Sequence, residues 1–328
     1  MFDVVTFGET MIRLAAPDFR RLEQVTSLDV TVGGAELNVA TGLARLGLKS
    51  AWVSRLPDNS LGRMARNKAN EFGVDTSHVV WTSKDRMGLY FVEYGAAPRA
   101  SAVLYDREGS AISRIKQGEV KWDAVLKGTR LFHTTGITPA LSDSAAAAVD
   151  EAIQTAKKHG CLVSYDLNYR AKLWSADKAR SIQEPLMKMV DILSTTEEDT
   201  EKVFGVTASS YVDVAKKLVD RFGFKVVTIT LRGTPSVLRN TWTSIAVDHQ
   251  GNVYSDREYD IEVIDRIGGG DAYTAGFLYG YLTQGVAEGV LYGNAFSALK
   301  QTSWGDFNWA TRAEVEGLLK GSGLRIAR

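Results

Sequence analysis

The run Asp265-Arg-Ile-Gly-Gly-Gly-Asp271-Ala-Tyr-Thr-Ala-Gly276 places three glycines and a carboxylate between a short apolar strand, Tyr259 to Ile264, and an apolar helix. A helix start carries unpaired backbone N–H groups and a partial positive charge, and so suits an anion such as a phosphate. Glycine lets the backbone approach that anion and turn sharply. Gly268, Gly269 and Gly270 can together aim several N–H groups at one oxyanion. Asp271 would repel a phosphate, so its place here is explained either by proton transfer, kept ionised by the helix start, or by capping the helix. A second glycine pair, Gly33-Gly34, opens another helix in Gly33-Gly-Ala-Glu-Leu-Asn-Val-Ala40 and permits a close approach or a hinge.

The elements that must position these residues alternate along the chain. Val4 to Phe7, Ala51 to Ser54, Leu131 to Thr134, Leu162 to Tyr165, Ile192 to Ser194 and Val226 to Leu231 read as buried strands. Helical patterns run over 35–46, 61–72, 142–159, 177–190 and 212–222. This βα alternation predicts an α/β fold with a mostly parallel sheet and helices on both faces, which binds ligands beyond the carboxyl ends of its strands. Residues 12–33 and 87–117 break the pattern with strand-like alternation and no helix. They read as a small antiparallel sheet forming a lid, or else as edge strands of the main sheet. The body then comprises 1–11, 34–86 and 118–328.

Composition narrows the partners. The 328 residues hold 39 Lys+Arg against 39 Asp+Glu, so no net charge points to nucleic acid or an acidic membrane, and a small molecule is expected. Cys161 is the single cysteine; it excludes an intramolecular disulfide and fits a reducing, cytoplasmic setting. No signal-peptide pattern and no apolar run long enough for a membrane helix are found. The four histidines show no metal-ligand spacing. There is no Gly-x4-Gly-Lys-Ser/Thr loop, no nucleophile elbow and no Gly-x-Gly-x-x-Gly after the first strand.

The two glycine segments, in this order and at this separation, resemble the two signatures of the ribokinase-like (phosphofructokinase-B-type) carbohydrate kinases. The second signature usually reads Asp-Thr-x-Gly-Ala-Gly-Asp; here Arg266 and Gly269 depart from it. The segments Asp58-Asn-Ser-Leu-Gly62 and 294–308 extend the likeness along nearly the whole chain. The resemblance implies a three-layer α/β/α domain with a small β-sheet lid, ATP and Mg2+ as co-substrate and cofactor, and a homodimer through the lid. It makes Asp271 the base and Gly268 to Gly270 the oxyanion donors. Gly33, Gly34 and Asn38 fall on the sugar side.

Within that family the pattern resembles the 2-keto-3-deoxygluconate kinases, on the wording Gly-Gly-Ala-Glu-Leu-Asn-Val-Ala and on Tyr90, Tyr105, Arg107 and Arg170. An arginine matches a carboxylate with two parallel hydrogen bonds, as a sugar acid requires. Tyr90 and Tyr105 can equally pack the lid, and the arginines can equally form surface salt bridges. Asn168, Thr230, Arg232 and Asn294 fall where the family meets the nucleotide. Glu198 falls where the family positions magnesium through water. Thr195 replaces an Asn, and Arg232 a Gly, of the usual pattern. The implied reaction phosphorylates the terminal hydroxyl of 2-keto-3-deoxygluconate or its galactonate epimer. Another sugar kinase of the family, or a sensor on the same fold, are the other readings.

Overall fold

The computed structural model describes residues 1–321. A nine-stranded sheet forms its centre. From one edge its strands run Val253–Ser255, Arg239–Asp248, Val226–Ser236, Ile192–Thr195, Leu162–Asp166, Leu131–Thr135, Val4–Phe7 and Ser50–Val53, with Tyr259–Glu262 also pairing with Arg239–Asp248. The strands from Val226–Ser236 to Ser50–Val53 are parallel, and the pairings of Arg239–Asp248 are antiparallel.

Successive strand residues feed opposite cores, as a sheet covered on both faces requires. Val5, Phe132, Leu193 and Val227 pack with helices Asp143–Lys158, Ala176–Met187 and Tyr211–Phe222. Their neighbours Val4, Leu131, Ile192 and Val226 pack with helices Ala35–Leu46, Gly269–Gln284 and Val286–Lys300. This is the expected three-layer arrangement. Side chains set where helices begin: Ser142 Oγ accepts from Ala145 N (3.0 Å) and Asn59 Oδ1 from Leu61 N (3.0 Å).

The predicted strands and helices are present with shifts of a few residues at their ends, but the hairpin after Val226 is longer than its sequence indicates. That strand continues to Ser236 and returns as Arg239–Asp248, which the sequence reading missed. Gly233 and Pro235 look like a break; the ladder instead shifts register between Gly233 and Ser236, and a bulge tolerates a proline without an N–H.

The two exceptional stretches do form a separate sheet, ordered Asp29–Gly33, Met11–Ala15, Gly88–Glu93, Ala102–Asp106. It is mixed rather than antiparallel, because Met11–Ala15 and Gly88–Glu93 run parallel. Between those two strands the chain passes through the body helices Ala35–Leu46 and Ser60–Glu71, a crossover long enough to bring the second strand back in the same direction. The excursion also ends sooner than residue 117: Ile112 and Ile115 are buried in the body's core beside Ala145 and Val149.

Candidate active site

A cleft of about 830 Å³ opens where the carboxyl ends of the parallel strands meet the second sheet. Gly33, Gly34, Asn38, Tyr90, Tyr105, Arg107, Asn168, Arg170, Glu198, Thr230, Arg232, Gly268, Gly269, Gly270 and Asp271 all line it. Asn294 does not. It lies fully buried in helix Val286–Lys300, whose polar side chains face packed protein, and its amide has no partner among the described residues.

The glycine turn is built for close approach. Gly268 has φ 83°, the left-handed region, and a Cβ there would stand 2.4 Å from the Asp306 carbonyl oxygen. A Cβ on Gly270 would meet nothing within 4 Å, so that backbone faces the open cleft. Gly269 tolerates the alanine usual at its position, its nearest neighbour being Gln301 at 3.4 Å. Its N–H is spent on the Arg266 carbonyl (3.2 Å), so Gly269 is not among the free donors. The N–H groups of Gly268, Gly270 and Asp271 have no partner among the described residues and remain for an anion.

Asp271 stands at this turn and accepts a hydrogen bond from Asn38 Nδ2 at 2.6 Å. Burial raises its pKa to about 6; the Asn38 bond pulls it down and the Asp306 charge pushes it up. Desolvation therefore outweighs the helix-start effect expected from sequence. A group poised there holds a charge at neutral pH and can still take a proton. Asn38 thus orients the Asp271 carboxylate, and its Oδ1 also accepts from Gly34 N (3.3 Å). Gly34 is needed because a Cβ would lie 2.1 Å from the Glu9 carbonyl oxygen.

Further carboxyls that the sequence reading left out lie at the cleft, Asp166, Asp199 and Glu36 among them. Asp166 ends the strand Leu162–Asp166, and burial with the charges of Asp271 and Asp199 raises its pKa to about 8. Burial likewise raises Asp199. Glu36 Oε1 accepts from Thr135 N (3.1 Å), Thr135 Oγ1 (2.8 Å) and Thr138 Oγ1 (2.8 Å), and burial holds its pKa near 7 against those bonds. The signal for Asp166 was present, since it closes a central parallel strand. Asn168, two residues on, sits at φ 40°, a left-handed position that asparagine accepts.

On the other wall, Tyr105 stacks on Tyr90 with ring centres 5.9 Å apart, and the Arg107 guanidinium lies 5.4 Å from the Tyr105 ring. Arg107 pairs with Glu9, a buried carboxylate at the end of the first strand that sequence reasoning missed. The Arg107 Nε is buried without a partner among the described residues. Tyr90 is almost wholly buried and donates to Asp306 Oδ2 (2.6 Å), so its hydroxyl is committed within the protein. Arg170 makes no ion pair among the described residues; its charge lowers the pKa of Asp166, Asp199 and Asp271. Glu198 pairs with Lys202, and that bond, aided by the Arg232 charge, keeps it readily ionised. Arg266, one of the departures from the signature, donates to the Val237 carbonyl (2.7 Å) and ties the turn to the long hairpin.

Among the described residues no three acidic, histidine or cysteine side chains come together to hold a metal, and no helix is long and apolar enough to cross a membrane. Cys161 is buried and donates to the Thr129 carbonyl (3.2 Å), as its apolar strand context predicts.

Residues 1–308 match the model of the pfkB family carbohydrate kinases. The chain is 38% identical over 327 residues to a 2-dehydro-3-deoxygalactonokinase of Haloferax volcanii, covering 99% of each. It is 28% identical over 302 residues to a 5-dehydro-2-deoxygluconokinase of Bacillus subtilis, covering 91% of this chain and 89% of the other. The crystal structure of a 2-dehydro-3-deoxygluconokinase from Thermotoga maritima superposes with a TM-score of 0.94 at 40% identity, over 97% of this chain and 98% of that one. The fold is therefore ribokinase-like, with its mostly parallel sheet and smaller second sheet. With two glycine signatures facing one cleft and a carboxylate at the second, the chain belongs to the pfkB family and is a carbohydrate kinase.

Proposed function

We propose that the protein transfers the γ-phosphoryl group of ATP to the terminal hydroxyl of a 2-keto-3-deoxy sugar acid. The first choice is 2-keto-3-deoxygluconate, giving its 6-phosphate; the galactonate epimer is the second. The observation that carries this reading is the pair of arginines on the cleft. Arg107 lines the cleft beside its partner Glu9, and Arg170 lines it with no ion-pair partner among the described residues. A neutral sugar has no use for two such cations, whereas a carboxylate does. The 38% and 40% identical relatives named for 2-dehydro-3-deoxy sugar acids support the same class.

In this reading the hydroxyl oxygen attacks the γ-phosphorus as the bond to the ADP oxygen breaks, and Asp271 takes the hydroxyl proton. The free N–H groups of Gly268, Gly270 and Asp271 hold the charge on the transferring group. Asn38 keeps Asp271 in place, while Tyr105, Arg107 and Arg170 fix which hydroxyl faces the nucleotide. Thr230, Arg232 and Asn168 line the nucleotide side. Glu198, Asp166 and Asp199 line the cleft and would meet a magnesium ion brought with the nucleotide, whose charge would offset the crowding of Asp166 and Asp199. The second sheet acts as a lid that excludes water from the transfer. Its outer face exposes Val30 and Leu104, a surface that a second copy of the chain would cover in a homodimer; a monomeric mass in light scattering would refute that. ATP as donor and the buried lone thiol fit action in the cytoplasm.

The test is a substrate panel with coupled ADP detection, comparing keto-deoxy acids with fructose, ribose and 5-keto-2-deoxygluconate. Arg107→Ala should cost the acids at least about tenfold more in kcat/KM than the neutral sugars, as expected for loss of a charge-assisted bond. Equal penalties would overturn the carboxylate clamp.

A further inference from the structure

A buried cluster of charged side chains lies against the glycine turn, and its ion pairs have no role in the chemistry above. Arg13, on the second-sheet strand Met11–Ala15, is 1% exposed. Its Nη1 donates to Asp306 Oδ1 (2.7 Å), and its Nη2 donates to Asp265 Oδ2 (2.6 Å) and to the Tyr94 hydroxyl. Lys300, also fully buried, donates to the Asp265 carbonyl (2.9 Å). Two cations thus face two carboxylates, and the cluster is neutral.

Each carboxylate shapes a wall of the phosphate turn. Asp265 Oδ1 accepts from Ile267 N (3.0 Å), which folds the chain into Gly268. Asp265 Oδ2 accepts from Gly305 N (3.1 Å), which joins the turn to the loop that closes over it. The Asp306 carbonyl lies against Gly268, and Asp306 Oδ2 takes the hydroxyl of Tyr90. Arg13 spans both loops at once, and it does so from the sheet that also carries Tyr90 and Tyr105.

Given the kinase reading of the turn, on which this rests, we propose that Arg13 is a positioning residue. It sets the Gly268–Asp271 donors through Asp265 and Asp306, and so makes the phosphoryl site depend on the placement of the sugar-side sheet. A buried ion pair is a poor source of stability, since apolar groups of similar volume often do as well. Its two-pronged geometry is what an apolar side chain cannot supply. A misplacement of about 1 Å at an oxyanion site is enough to cost on the order of a hundredfold in rate.

Two variants test this. Arg13→Lys keeps the charge but cannot span both carboxylates. A double variant, Arg13→Met with Asp306→Asn, removes one charge of each sign, so the cluster stays neutral with Lys300 beside Asp265. Steady-state kinetics and amide hydrogen exchange are read on both. The expected result is a fall in kcat of at least about tenfold with KM for ATP within about threefold. Exchange at Ile267 and Gly305 should speed up at least about tenfold while the central strands stay protected. Wild-type kcat in either folded variant overturns the proposal. So does a uniform rise in exchange across the body, or failure of both variants to fold, because each assigns the cluster to stability alone. Should the wild type phosphorylate no sugar acid, the substrate reading falls, while exchange at Ile267 and Gly305 still decides the role of Arg13.

Discussion

Replacing Asn38 with alanine removes the hydrogen bond that holds the Asp271 carboxylate, Nδ2 to Oδ2 at 2.6 Å. Bonds to a charged group contribute about 1.5–3 kcal/mol, and about 1.4 kcal/mol corresponds to one pKa unit. The bond favours the ionised form, so its loss moves the Asp271 pKa upward from about 6, by roughly one to two units. At pH 7 the ionised fraction of the base then falls from about nine-tenths to between about a half and a tenth. The acid limb of the kcat/KM profile should move to higher pH by the same one to two units, with activity recovering toward about pH 9. A smaller, pH-independent loss accompanies it, because Gly34 N also loses an acceptor. Initial rates by coupled ADP release over about pH 5 to 9.5 read both effects separately. An unmoved acid limb would show that Asn38 does not govern the base, and the assignment of Asp271 as proton acceptor would fail with it.

The glycines give a contrast in one assay pair. Gly270→Ala meets no neighbour within 4 Å and should leave the melting temperature unchanged or raised, yet its methyl group would stand where the proposed phosphate site lies. Turnover should fall about 10²-fold, because the methyl group holds the transferring group off the N–H donors; wild-type turnover would remove Gly270 from the site. Gly268→Ala should lose stability as well as activity, from left-handed strain of about 1–2 kcal/mol and the clash with Asp306. Burial lifts the Glu36 pKa to about 7, above the usual glutamate value of about 4.5, so its protonated form is the one the fold favours. Its contribution is full below about pH 4.5 and is lost as pH rises through about 7. Glu36→Gln should therefore gain on the wild type across that window, by up to about 3 kcal/mol in urea unfolding. A difference that stays constant with pH would refute the buried-acid reading.

The sequence by itself determined the fold class, the two glycine segments and the identity of the acid beside them. These are local facts. A strand shows in its runs of β-branched residues, a helix in its period, and a phosphate turn in the glycines its backbone needs. Placement of the second sheet outside the main one was legible for the same reason, although its parallel pair was not, since strand direction depends on where the intervening helices take the chain. Tertiary structure alone decided which polar groups meet. Asn38 and Asp271 are 233 residues apart in the chain, Arg107 and Glu9 are 98 apart, and Arg13 and Asp306 are 293 apart. Tyr90, an aromatic that the sequence reading left to the sugar or to lid packing, lines the cleft and gives its hydroxyl to Asp306. Asn294, which matches by position, is turned into packed protein. The pKa of Asp271 was also beyond the sequence: its sign depends on desolvation against one amide bond and several distant charges, and those balance only once the chain has closed around them.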